Sequence, residues 1–216
     1  METRVVIVTA VNDYRPDLCE YTIPNLKSFA DRCKADFIVN RNRARDLKWH
    51  PAYEKTQAWE IADLYDKTII IDADLIIHPK MTDFFAVLPK NHTGSWMSYE
   101  IKTPSLTLWD IDADPYFSRD GRNVGIVGSI VGCNRSTRHI FEPLSARHDP
   151  VEAQAKLYRP AIIDEYTFSR NLAKYGLKHA ALWPSFKGIH HAEVTTKNDK
   201  NDVEEMIKTL RAWGCL

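Results

Sequence analysis

The stretch on which the fold turns is Lys67-Thr-Ile-Ile-Ile-Asp-Ala-Asp-Leu-Ile-Ile77, an apolar run that delivers two carboxylates, Asp72 and Asp74, at its end. Residues 68–71 are β-branched throughout and predict a buried strand. Carboxylates are seldom buried without a cation or a paired donor, so a pair placed there marks a candidate site for a hard divalent ion. Successive strand residues face opposite ways, but where a strand breaks into a turn both side chains can reach one cation. A plain strand-end turn is the bland alternative for the same letters.

Outward from that strand, strand-like and helix-like patterns alternate from the first residues, which predicts an α/β fold with a mostly parallel central sheet flanked by helices. Arg4 to Val11 and Asp36 to Val39 read as strands. Between them, Ile23, Leu26, Phe29, Ala30 and Cys33 have helical spacing, with Pro24 placed in the first turn. A helix over Tyr53 to Tyr65 feeds into the aspartate strand as a βαβ crossover. Thr93 to Met97 and Val124 to Cys133 are the next predicted strands, the latter loosened by Gly125, Gly128 and Gly132, where backbone can approach a ligand. Helices are expected over Thr137 to Ala146, Val151 to Leu157 and Ile163 to Tyr175, then a strand over His179 to Trp183. A last amphipathic helix carries Val203, Met206, Ile207, Leu210 and Trp213.

The 216 residues and 44% hydrophobic content suit one packed domain. Lys plus Arg equals Asp plus Glu at 29 each, so no overall field gathers nucleic acid or an anionic membrane. Cys19, Cys33, Cys133 and Cys215 have no CxxC spacing, which argues against a zinc site or a disulfide framework and makes a reducing cytoplasm the expected location. No apolar run has the length of a signal peptide or a membrane span. A second Ile-Asp-Ala-Asp occurs at 111–114, but no apolar strand precedes it and Pro115 follows. It reads as a solvated loop, or as a loop that helps close the site.

Read together, Glu54-Lys-Thr-Gln-Ala-Trp59, Leu64-Tyr-Asp-Lys67, Ile69-Ile-Ile-Asp-Ala-Asp74 and Asp83-Phe-Phe85 resemble the glycogenin-like family of nucleotide-sugar glycosyltransferases, which have a GT-A (Rossmann-like) fold and a DxD metal motif. The resemblance implies a single GT-A domain over residues 1–216, with a nucleotide- and metal-binding half at 1–120 and a sugar and acceptor half at 121–216. In Thr9-Ala-Val-Asn-Asp-Tyr14, the counterpart of the loop that holds the nucleotide base, it points to Ala10, Asn12, Asp13 and Tyr14. It adds Lys55, Asp72 and Ala73 to the donor site, and Asn123 and Gly125 to the wall of the sugar pocket. Asp164 stands where the family carries an aspartate near the donor sugar, and Glu165 where it carries glutamine. His191 and Lys197 have the separation of the family's histidine and lysine, with Val194 in place of glycine, and His190 is the alternative ligand.

The implied cofactor is Mn2+ or Mg2+ held by Asp72, Asp74 and His191, and the implied donor is a UDP-sugar. Lys197 would grip the departing diphosphate and Asp164 would act beside the sugar. The reaction implied is transfer to an acceptor hydroxyl with retention, the acceptor being a glycan, a protein or a small molecule. No nucleic-acid partner and no membrane span are expected, and a homo-oligomer is left open. Two rivals remain. A non-catalytic nucleotide-sugar-binding protein of the same fold accommodates Val194 and Glu165. A haloacid-dehalogenase-like phosphohydrolase also ends a strand with Asp-any-Asp, but normally on its first strand and with a different following residue.

Overall fold

The computed structural model describes residues 2–81, 83–96, 98–101, 123–157, 159–182, 189–191 and 199–216. The strands are β1 (Arg4–Thr9), β2 (Asp36–Asn40), β3 (Lys67–Asp72), β4 (Leu75–Ile77), β5 (Thr93–Ser95), β6 (Ser98–Ile101), β7 (Asn123–Ile126), β8 (Ile130–Asn134), β9 (His179–Ala181) and β10 (Ile189–His191). The α-helices are α1 (Pro16–Arg32), α2 (Ala58–Ala62), α3 (Phe84–Val87), α4 (Pro150–Ala155), α5 (Ile163–Tyr175) and α6 (Asp199–Ala212), with 3-10 turns at Pro51–Gln57, Arg135–Phe141 and Pro160–Ile162.

Among the described residues the central sheet has six strands in the order β2-β1-β3-β8-β5-β9. β1 pairs parallel with β2 and β3, and β5 with β9, while β8 runs antiparallel to both of its neighbours. This is the expected mostly parallel α/β sheet, with β8 reversed in its middle. The period of two along β1 and β3 divides their apolar side chains between two cores. Val6, Val8, Ile69 and Ile71 meet Leu26 and Phe29 of α1 with Phe84 and Phe85. Val5, Ile7 and Ile70 meet Ala58, Phe141 and Phe168 on the other face. Two small sheets, β4 with β10 and β6 with β7, lie beside the main one.

Several elements differ from expectation for identifiable reasons. The first helix begins at Pro16, a residue well suited to the first turn, so Pro24 lies in its interior. The segment before β3 opens as a 3-10 turn and becomes α-helical only at Ala58. The glycine-loosened stretch is two strands in different sheets, because the chain turns at Gly128 and Ser129. Gly132 faces Ile69 inside the sheet, where a Cβ would come within 3.1 Å of its Cγ1, so it serves packing and not a pocket wall. The helix expected over 137–146 stops at Phe141, since Pro143 holds Glu142 extended (ψ 128°). Trp183 and Met97 lie outside the described residues.

Candidate donor and metal site

The site gathers where the parallel strands end, the usual place for ligands in open α/β sheets. After β1 the chain turns sharply through Asn12 (φ 57°), Asp13 (φ 50°) and Arg15 (φ 39°), left-handed conformations that Asn and Asp tolerate best. Ala10 is buried, and its N–H donates to Asn40 O at 2.9 Å, tying the loop to β2. The turn brings Tyr14 over the aspartate pair, and its hydroxyl donates to Asp74 Oδ2 at 3.0 Å. Burial and the Asp74 charge hold the Tyr14 phenol far above its ordinary pKa, so it remains a donor.

Two polar side chains on the otherwise apolar buried face of α1 fix the turn between the aspartates. Thr22 Oγ1 donates to Ala73 O at 2.5 Å. The Asn25 amide donates to Ile77 O (3.1 Å) and accepts from Ile77 N (2.7 Å). Ala73 has its side chain in the core. On the opposite edge of β4 lies β10, with His191 at the register position of Leu75, directly after Asp74.

Asp72 closes β3, and its N–H donates to Ser129 O at 2.8 Å. Its Oδ1 lies 2.5 Å from Lys55 Nζ, and the same ammonium reaches Asp164 Oδ2 at 2.6 Å and Gly128 O at 3.2 Å. Burial would lower the Lys55 pKa, but Asp164 and Asp72 outweigh it and raise it, so the lysine is a fixed charge. For Asp72 burial dominates in the other direction. Together with Asp74 and Asp164 it raises the carboxyl against the pull of Lys55.

Asp164, 3% exposed, opens α5, and Glu165 follows it half-buried with Oε1 3.4 Å from Gly128 N. A Cβ on residue 128 would strike Asp164 Oδ2, so only glycine lets α5 come this close. His50 faces Asp164 and Lys55, and burial lowers its pKa and favours a neutral ring.

The structure thus brings Tyr14, Lys55, Asp72, Asp74 and Asp164 together. Asn123 and Gly125 sit on β7, antiparallel to β6 and packed by way of Ile126 N on Ser169 Oγ (3.1 Å). Asp83 caps α3 and pairs with Arg4 at 2.8 Å, so the acidic-aromatic turn is architectural. Lys197, Val194 and the 111–114 repeat lie outside the described residues. Thr22, Asn25 and Glu54 were not singled out as site residues in the sequence, whereas Gly128 was, as a point of backbone approach to a ligand, and here it admits α5. Thr22 and Asn25 carried a readable signal, being polar residues at helical spacing within an apolar stripe.

Four carboxylates converge here, and among the described residues the cation acting on both Asp72 and Glu165 is Lys55. That surplus of negative charge on hard oxygen donors fits a divalent ion at Asp72 and Asp74. Among the described side chains, which do not include that of His191, no group of three His, Cys, Asp or Glu is clustered to hold a metal, so the aspartate pair would be their share. The described cysteines are all free, and no helix among the described residues is long and apolar enough to cross a membrane.

Comparison with solved structures identifies the fold. A glycosyltransferase involved in glycosylation of the major capsid of PBCV-1 superposes with TM-score 0.53 at 10% identity, over 95% of this chain and 99% of that one. The catalytic domain of Drosophila beta1,4-galactosyltransferase 7, in complex with xylobiose, superposes with TM-score 0.50 at 15% identity, over 83% of this chain. The fold is GT-A. This GT-A chain spans 64% of the length of that galactosyltransferase domain. No protein-family model and no curated protein matches its sequence.

Proposed function

We propose that the chain is a glycosyltransferase that moves a sugar from a nucleoside diphosphate sugar to an acceptor hydroxyl. The observation that carries the reading is Lys55 bridging Asp72 and Asp164 at the strand ends of a GT-A fold, beside an Asp74 capped by Tyr14. The resemblance to the glycogenin-like family refines it to a UDP-sugar donor, manganese or magnesium, and retention of the anomeric configuration. Residues 1–120 would then supply the nucleotide and metal side, and residues 121–216 the sugar and acceptor side.

Breaking the sugar–diphosphate bond leaves charge on the departing β-phosphate oxygen while the anomeric carbon becomes electron-poor. A divalent ion held by Asp72 and Asp74, with His191 as a third ligand, would supply Lewis-acid stabilisation of that oxygen. Lys55 keeps Asp72 and Asp164 in fixed orientation, so little reorganisation accompanies charge development. Asp164 accepts from donor-sugar hydroxyls on its side of the lysine. Tyr14 holds the Asp74 carboxylate and sets the wall on which the base rests, with Ala10, Asn12 and Asp13 forming the loop around it. Lys197 is assigned to the diphosphate.

Thermal unfolding against nucleotides and nucleotide sugars, with manganese and with chelator, tests this reading, because a ligand of the native state raises its melting temperature. A manganese-dependent rise with uridine diphosphate and UDP-sugars is the expected result. No rise with any nucleoside diphosphate would overturn it.

A further inference from the structure

Of the four carboxylates in the site, three are already engaged. Asp72 and Asp164 share Lys55, and Asp74 accepts from Tyr14. Glu165 is the fourth, and among the described residues it forms no ion pair. Its one hydrogen bond is the long contact of Oε1 with Gly128 N at 3.4 Å. Gly128 places it in the site, since the same residue's carbonyl accepts from Lys55 at 3.2 Å. A side chain at 128 would also crowd Glu165 Cγ, at 3.3 Å from the added Cβ. Glu165 is also a point of departure from the family pattern, and a carboxylate can take a proton where a glutamine cannot.

We propose that Glu165 is the base that takes the proton of the acceptor hydroxyl. The assignment rests on the glycosyltransferase reading above. As the acceptor oxygen bonds to the anomeric carbon, the bond from that carbon to the β-phosphate oxygen breaks and its electron pair leaves with the diphosphate. The hydroxyl proton passes to a Glu165 carboxylate oxygen, which requires the acceptor to enter on the face of the sugar that Glu165 borders. The environment suits the task. Burial, reinforced by Asp164 on the same helix and by Asp72 on β3, pushes Glu165 up to about 7 against the pull of the Gly128 N–H and Lys55. Burial lowers the pKa of His50, beside Asp164 and Lys55.

Water serves as the acceptor in the test. UDP release from UDP-glucose and UDP-galactose with manganese is followed against pH for the wild type, Glu165→Gln and Glu165→Asp, and manganese-dependent UDP binding is measured in parallel by calorimetry. In the wild type kcat/KM should rise tenfold per pH unit below about 7 and level off above it. Glu165→Gln should lose about 10²–10³-fold at the plateau, together with the pH-dependent limb, while UDP affinity stays within about threefold. Glu165→Asp, which keeps the carboxylate, should retain a limb at a reduced plateau. Wild-type rates in Glu165→Gln, or an unchanged limb, would overturn the assignment and leave the glycosyltransferase reading intact. Absence of UDP binding in the wild type would overturn that reading and the assignment with it.

Discussion

Glu54 and Lys55 are consecutive in the sequence and stand in opposite kinds of charge cluster. Glu54 is fully buried, and its carboxylate accepts from Arg43 Nε (2.6 Å), Ala44 N (2.9 Å), Arg45 N (3.2 Å) and Gln57 Nε2 (2.6 Å). Donors surround one anion, and the result is a pinned loop. Around Lys55 the proportion is inverted, with one ammonium shared by two carboxylates and two more nearby. Buried charge well supplied with partners is architecture, whereas an excess of acceptors over donors among the described residues suits an added cation.

The comparison predicts that the two clusters fail differently. Asp74→Asn should remove at least about 10³-fold of metal-dependent turnover, some 4 kcal/mol, with the melting temperature unchanged or raised. Full turnover in that variant would break the contrast. Glu54→Gln should do the reverse, costing about 3 kcal/mol in urea unfolding because Arg43 loses its buried partner, while turnover per folded molecule stays near wild type. Gly128→Ala probes the boundary between them. Its Cβ would displace Asp164, costing about 2 kcal/mol of stability and lowering turnover together, and a variant that lost only one would show the two roles of Gly128 to be separable.

A pH dependence sharpens the comparison further. The folded Glu165 holds its proton up to about 7, well above an ordinary carboxylate, so its contribution to stability falls as the pH rises from about 4.5 to 7 and is constant above. Glu165→Gln escapes that loss. It should be more stable than the wild type by on the order of 1 kcal/mol at pH 8, the solvent contact of a half-buried group being allowed for, and equal to it near pH 4. A Glu54→Gln variant that behaved the same way would dissolve the distinction.

The sheet was legible because β1 and β3 are buried on both faces and write their position as unbroken apolar runs. The α5 helix was read to the residue, ending where Gly176 takes a left-handed conformation (φ 57°). The Asp72 and Asp74 pair was legible from the residues themselves, as carboxylates ending an apolar strand with a plain turn as the lesser alternative, whereas Lys55 joined them only through the family resemblance. What escaped was tertiary. Nothing local to Gly128 distinguishes a turn that admits α5 from a loosened strand, because the reason for the glycine is Asp164, far along the chain. Thr22 and Asn25 escaped because polar residues on a helix face are usually solvated, whereas here they accept and donate at the backbone between Ala73 and Ile77.

The pairing of β4 with β10 joins Leu75 to His191 across about half of the sequence. Contacts between residues so remote close slowly, because the intervening chain must be ordered first. A nascent chain that has emerged as far as β9 can already assemble the central sheet and its paired aspartates, yet it lacks the strand that lies beside them. On the proposed function, nucleotide would therefore find no finished site on such an intermediate, and its binding would report completed folding as well as affinity.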